Sequence, residues 1–434
     1  MTVKRWETRP LGFWDKAKEM RQKHDKAVVH AAERHELLCE STGLAYWTMA
    51  FPAVRMVSEN PQGSMLSFLS DKFARQCRLA SEVRGWGREM CGYKLNVYGS
   101  MYLDHDISGK DKFPRRDMVV PAPAPCNLHS KRAQGFMDYS PIPRWSSDAP
   151  DYTDPPDPER DKVMINNVVG CILDQIEDIE RIFGQKFDDE KLIQVLKDKW
   201  TYQKLAGESV CLMQNVPSPL SIKDLYSLYT IGGLTKTDPT ETVQLWTMIR
   251  DELKWRVENQ IAAVGTERYR WVESEPPPWH FLKYYRYMEK YGAVCIGSSY
   301  THGIGGPYEW RADGTWGPSP TPLDLGVPLN TREDAIRALV GAKTRASHGI
   351  GKFAGVWDLA KAFKVQGAIL PLWRAGVGCV VGHREAGLVL RDMGVNVMHY
   401  EGDQPGDRTD MDENHMLDQL DVWMESQGLR KVED

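Results

Sequence analysis

The sequence predicts an α/β protein: two doubly wound parallel-sheet domains bridged by helices, with a site in the cleft between them. Three observations carry this. Strand-like and helix-like segments alternate through residues 44–121, the same rhythm returns from about residue 277, and helical periodicity fills the stretch between. The expected division is 1–160 for an N-terminal α/β domain, 161–270 for a helical connecting region and 271–434 for a C-terminal α/β domain.

Taken in order, residues 12–39 read as a helix, with Ala27, Val28, Ala31 and Leu38 at helical spacing. "LAYWTMAFPAVRMVSEN" (44–60) is apolar and β-branched enough for one or two buried strands ending at Glu59, and "SFLSDKFARQCRLASEVRGWGREM" follows with helical period. A short buried strand at 117–121 stops at prolines just before Cys126. "SPIPRWSSDAPDYTDPPDPERD" (140–161) is a linker or long surface loop. Within the helical block, "NNVVGCILDQIEDIERIFG" is the clearest amphipathic segment, and Asp188 and Asp189 mark a helix start. Strands then fall at 291–299, 367–373 and 395–401, and helices at 331–340, 351–366, 383–394 and 410–427. The two halves share architecture without a residue-level repeat.

Composition excludes several functions. Apolar runs end well before the ~18 residues of a membrane span, and the basic N-terminus has no apolar core of a secretory signal. The expectation is a cytoplasmic protein without a membrane partner. Fifty-five basic residues are interspersed with 60 acidic ones, which argues against a nucleic-acid footprint.

"LPLWRAGVGCVVGHRE" (370–385) runs from a strand into a turn holding Gly376, Gly378 and Gly382, then into a helix and a strand ending at Glu401. The pattern is open to three readings: a plain tight turn, a dinucleotide cradle, or a site centred on Cys379. "ASHGIGKF" (346–353) fails as an ATP loop, with Ala346 at the first glycine position and Phe353 after the lysine.

Eight cysteines, with no CxxC pair, exclude zinc ribbons and compact ferredoxin motifs. Cys171, Cys211 and Cys295 lie in apolar helix or strand settings and read as core, and Cys39 and Cys77 also read as structural. Cys91, Cys126 and Cys379 differ. Cys126 and Cys379 follow predicted strand ends, one from each half, where open α/β sheets place ligands. Thiolates converging there would suit an iron–sulfur cluster with three cysteine ligands. Glu59 is either a strand-end acid or a functional carboxyl; His302 and His399 are candidate proton donors or structural histidines.

With these residues quoted, the chain resembles the 2-hydroxyacyl-CoA dehydratase and benzoyl-CoA reductase family. The resemblance rests on Glu59-Asn60 after an early strand, on the three cysteines, and on the end segment "RAGVGC…GVNVMHYEGDQPGDRTD…LDQLDVWMESQGLRK". That segment is most like the B-subunit branch of ATP-dependent (class I) benzoyl-CoA reductases. The resemblance implies two flavodoxin-like domains, a [4Fe-4S] cluster on Cys91, Cys126 and Cys379, and a homologous cluster-bearing partner subunit in a heterotetrameric assembly. It also implies ATP-hydrolysing iron–sulfur activator subunits, ferredoxin as electron source, and reduction of an aromatic acyl-CoA to a cyclic dienoyl-CoA. The alternatives within the family are a radical 2-hydroxyacyl-CoA dehydratase subunit and a non-catalytic electron-transfer or scaffold subunit. Pro61, where dehydratases usually carry histidine, and Gly378-Cys379-Val380, where they tend to carry Ser-Cys-Lys, lean towards the reductase branch. Both departures put a catalytic role for Glu59 in doubt.

Overall fold

The computed structural model describes residues 4–41, 45–120, 127–145, 157–230, 238–342, 350–374, 382–403 and 408–432. After α1 (Trp14–Val29) come β1 (Leu37–Ser41), β2 (Val54–Val57), α2 (Glu59–Leu69), α3 (Asp71–Val83), α4 (Gly92–Tyr102), β3 (Met118–Val120) and α5 (Asn127–Tyr139). The three strands form a parallel sheet in the order β2-β1-β3, with Cys39 opposite both Met56 and Met118.

Here the sequence expectations need correction. The helix expected over 12–39 stops at Val29. His35 then turns the chain with a left-handed φ of 56°, and "LLCES" becomes the central strand. A strand covered on both faces shows an apolar run rather than alternation, so periodicity alone does not identify it. In 44–60 only Val54–Val57 is strand; "AYWTMA" is a 3₁₀ turn with all six residues buried. Glu59 begins α2 instead of ending a strand. The helical stretch that follows is broken at Ser70, whose extended backbone ends α2 and whose hydroxyl accepts the Phe73 N–H to start α3.

The middle of the chain is helical, as read: α6 (Pro158–Phe183), α7 (Asp189–Leu212), α8 (Ile222–Thr230) and α9 (Pro239–Glu258). Asp188 caps α7 by accepting the Lys191 N–H at 2.9 Å. Next come β4 (Tyr269–Glu273), α10 (Lys283–Glu289), β5 (Ala293–Ser298), the single turn α11 (Ser299–His302) and the hairpin β6 (Tyr308–Trp310) with β7 (Trp316–Pro318). α12 (Arg332–Gly341), α13 (Ile350–Ala362), β8 (Gly367–Trp373), α14 (His383–Asp392), β9 (Asn396–Gly402) and α15 (Glu413–Ser426) complete the described elements. The second sheet is parallel in the order β5-β4-β8-β9. Mixed α/β architecture with parallel sheets is therefore what the sequence led us to expect.

Two apolar clusters fill the interior. One joins β1 and β3 to α6, α7 and α12 through Val168, Ile172, Ile176, Ala335 and Leu339. The other surrounds the second sheet and takes in α4, α8 and α9, so Cys91, Tyr93, Tyr98 and Val119 share it with Trp271, Trp279 and Ile369. Among the described residues no helix is long and apolar enough to cross a membrane.

Helices α3 and α4 cross at a glycine. A Cβ on Gly99 would sit 1.8 Å from the Cys77 carbonyl oxygen, a backbone contact that cannot yield without separating the helices. Gly99→Ala is expected to cost about 3 kcal/mol. Gly170→Ala, in α6 with nothing within 4 Å, should instead gain about 0.5–1 kcal/mol from helix propensity. Thermal unfolding of the two variants in parallel checks both signs.

Candidate functional site

Parallel sheets collect ligands beyond the carboxyl ends of their strands, and along the chain three candidate residues follow such strand ends. β2 ends at Val57, two residues before Glu59. β3 ends at Val120 and β8 at Trp373, each six residues before a candidate cysteine, Cys126 and Cys379. Both of those cysteines lie outside the described residues, as do the side chain of Glu59 and the turn 375–381. Cys91 is described. It is the N-cap residue of α4, 8% exposed, and its side chain makes no capping hydrogen bond. Its neighbours are apolar: Cys91 shares a buried cluster with Tyr93 and Leu95. Among the described residues no group of three or more His, Cys, Asp or Glu is placed to hold a metal ion.

What surrounds Cys91 joins the two sheets. Tyr93, two residues on, accepts a hydrogen bond from Trp279 Nε1 at 2.5 Å and lies 3.3 Å from the Tyr300 hydroxyl. Trp279 follows β4 and Tyr300 follows β5, so the start of α4 is docked on the carboxyl edge of the second sheet. Tyr300 also receives the Tyr229 hydroxyl at 2.6 Å, and Tyr229 stacks on Trp279. On the other side α2 passes close: a Cβ on Gly63 would meet the Tyr93 carbonyl oxygen at 2.7 Å, and Asn96 donates to the Gly63 carbonyl and to Ser67. The first turn of α2 is tied to the first sheet as well. Arg116, buried with Glu40, bonds Glu40 at 2.9 Å and Gln62 at 2.7 Å. The helix that begins at Glu59 and the helix that begins beside Cys91 are thus held together.

The acidic segment "EGDQPGDRTD" has a structural counterpart that the sequence reading missed. Arg78 of α3, fully buried, donates to Asp403 at 2.8 Å and to Asp410. Asp410 also receives Arg374, through its backbone carbonyl at 2.8 Å and a carboxylate oxygen at 3.3 Å, and lies 3.8 Å from Arg88. Arg88 precedes Cys91 by three residues and Arg374 precedes Cys379 by five. One aspartate therefore anchors the chain just upstream of two candidate ligands.

His302 and His399 each face a backbone carbonyl. Burial pushes His302 down to about 3, and its Nδ1 faces the Ser298 carbonyl at 2.6 Å; it stays neutral at physiological pH. Burial also lowers His399, whose Nδ1 faces the Leu370 carbonyl. His383, at the first position of α14, is held likewise, between the Pro371 carbonyl and Ser274 Oγ.

Comparison with known proteins places the chain in a family. A family model described as 2-hydroxyglutaryl-CoA dehydratase, D-component, matches residues 65–425, a span containing Cys91, Cys126 and Cys379. The (R)-2-hydroxyisocaproyl-CoA dehydratase alpha subunit of Clostridioides difficile is 24% identical over 236 residues, 54% of this chain and 56% of that protein. The (R)-phenyllactyl-CoA dehydratase alpha subunit of Clostridium sporogenes is 23% identical over 231 residues, 53% and 55% of the two chains. The chain spans about half the length of these curated relatives. Both are dehydratase subunits, which favours the dehydratase reading of the sequence over the reductase B-subunit branch.

Proposed function

The chain belongs to the 2-hydroxyglutaryl-CoA dehydratase D-component family, and from that premise we propose that it is a subunit of a radical 2-hydroxyacyl-CoA dehydratase. The overall change is loss of water from a 2-hydroxyacyl-CoA to give a 2-enoyl-CoA, with no net oxidation or reduction. The observation that carries the reading is the family match over 65–425, which encloses Cys91 at the buried start of α4.

In this proposal Cys91, Cys126 and Cys379 would hold a [4Fe-4S] cluster, which when bound would supply single-electron chemistry to the thioester, in a fold of two flavodoxin-like domains. The chain's own residues do the rest. Tyr93, Trp279, Tyr229 and Tyr300 form an aromatic wall beside Cys91 that excludes water, which a reactive radical anion requires. Glu59, at the first position of α2, is the acid–base candidate. A homologous cluster-bearing subunit completes the enzyme, and ATP-hydrolysing activator subunits fed by ferredoxin inject the electron.

A second reading is favoured by Pro61 and by Gly378 and Val380 beside Cys379. In it the same assembly transfers two electrons and two protons to an aromatic acyl-CoA ring, giving a cyclic dienoyl-CoA. The deciding experiment offers the anaerobically isolated complex, with activator, ATP and reductant, an (R)-2-hydroxyacyl-CoA or benzoyl-CoA. Formation of enoyl-CoA without net consumption of reductant is expected. Stoichiometric consumption of reductant on benzoyl-CoA, with no dehydration, would overturn the dehydratase reading in favour of the second.

A further inference from the structure

A carboxyl group that neither reading uses lies behind the aromatic wall. Glu273 is the last residue of β4, at the carboxyl edge of the second sheet, and is 2% exposed. Three phenols converge on it. Tyr226 of α8 and Tyr285 of α10 donate to Oε1, and Tyr284 of α10 donates to Oε2 at 2.5 Å. The Tyr226 oxygen also lies 2.9 Å from Ser298 Oγ and 3.2 Å from the Glu275 carbonyl oxygen. The other titratable groups facing Glu273 are Cys295 from β5 and Tyr400 from β9. None of these groups is a cation, so among the described residues an ionised Glu273 has hydrogen bonds but no counter-charge.

This cage adjoins the candidate cluster site. The Tyr226 ring packs edge-on against Trp279 with centroids 5.5 Å apart, and Trp279 donates to Tyr93, two residues from Cys91. Every link is buried in the same apolar cluster. Charge at one end of so dry a path is poorly screened at the other.

We propose that Glu273, held by Tyr226, Tyr284 and Tyr285, is a proton-exchanging carboxyl that takes up a proton when negative charge is added at the Cys91 site and releases it when that charge leaves. It acts through charge, not by touching substrate, and the coupling rests on the reading of Cys91 as a cluster ligand. The balance is simple: one electron arriving at the site raises the proton affinity of the carboxylate, one proton enters from solvent, and the net charge of the interior is unchanged. The energetics of the empty cage are consistent. Burial, the largest influence, pushes the carboxyl up to about 7 against the three tyrosine hydrogen bonds, so it changes protonation within the physiological range. Because this lies above the ordinary 4.5, the protonated form predominates below neutrality and is lost as pH rises through about 7.

The test uses the anaerobically isolated complex and two readouts. The infrared carbonyl-stretch band of a buried protonated carboxyl is followed across neutral pH. The wild type should show a band that disappears with a midpoint near neutrality, and Glu273→Gln should lack it. Tyr285→Phe, which removes one donor to the ionised form, should shift the midpoint upward; this variant decides the matter if Glu273→Gln does not fold. The cluster's reduction midpoint, titrated at several pH values, should fall as pH rises through neutrality in the wild type and stay flat in Glu273→Gln. Absence of the band in the wild type, or a midpoint unmoved in Tyr285→Phe, overturns the protonation. A cluster whose pH dependence is the same in Glu273→Gln overturns the coupling alone. A complex without any cluster overturns the ligand reading and the coupling with it, while the infrared readout still decides whether Glu273 exchanges a proton.

Discussion

Replacing Arg78 with methionine is expected to cost about 3–5 kcal/mol, the penalty for removing one partner from a buried ion pair. The reason is what stays behind. Asp403 and Asp410 are both buried, and Arg78 bonds each of them. Methionine fills the volume but takes from two buried carboxylates the cation that bonds both. Arg374 and Arg88 reach Asp410 from the periphery and cannot replace both bonds. Against a total stability of about 5–15 kcal/mol, a loss of this size removes much of the soluble protein. Arg78→Lys keeps the charge without the planar fork that meets two acids at once, so it should fall between. Thermal unfolding midpoints and soluble yields of the three forms give the order wild type, lysine, methionine. Equal midpoints for wild type and Arg78→Met would falsify the idea that this arginine holds the acidic segment in place.

Arg78 also shows where sequence reasoning stops. In "KFARQCRLASEV" it reads as one of several surface charges on an amphipathic helix, because its partners lie more than 300 residues away. The available signal was the acidic run itself: "EGDQPGDRTD" calls for cations, though not for this one. The strands show the same division. β8 matches its expected range in full, since an apolar run closed by a glycine turn is a strong local pattern. β4 escaped notice because two of its five buried residues are charged. Arg270 donates there to the carbonyls of Met213, Gln214 and Asn215 and to Glu267, and Glu273 accepts from its tyrosines. Interior charges with distant partners look, in sequence, like surface charges. β1 was misread for the opposite reason: its apolar residues continue a helical spacing, and only the left-handed turn at His35 separates strand from helix. The cysteines were singled out by their contexts alone, whereas the tyrosines and Trp279 near the start of α4 were not, because aromatic residues recur along the whole chain.

Cys91→Ala should abolish the cluster while leaving the fold nearly intact, and Cys77→Ala should do the reverse. The Cys91 side chain makes no capping hydrogen bond to α4, so alanine keeps the helix start. The expected stability loss is about 1 kcal/mol, near the average for point substitutions. A cluster held by three thiolates, however, loses a third of its protein ligands and with them its tight binding. Cys77 sits fully buried on α3, its backbone pressed against Gly99 of α4, and burial pushes its thiol far above the ordinary range, so it remains a protonated core residue. Truncating it opens a small cavity where two helices cross and should cost about 1–2 kcal/mol without touching iron. The measurements are iron content and the electron paramagnetic resonance signal of the reduced, anaerobically isolated complex, alongside thermal unfolding. If Cys91→Ala keeps full iron and an unaltered signal, Cys91 is a core thiol like Cys77, and the ligand set must be sought elsewhere. If both variants lose iron together, the loss follows from a disturbed α3–α4 crossing rather than from ligation. Only opposite effects, iron lost in one and stability lost in the other, assign the sulfur of Cys91 to the cluster.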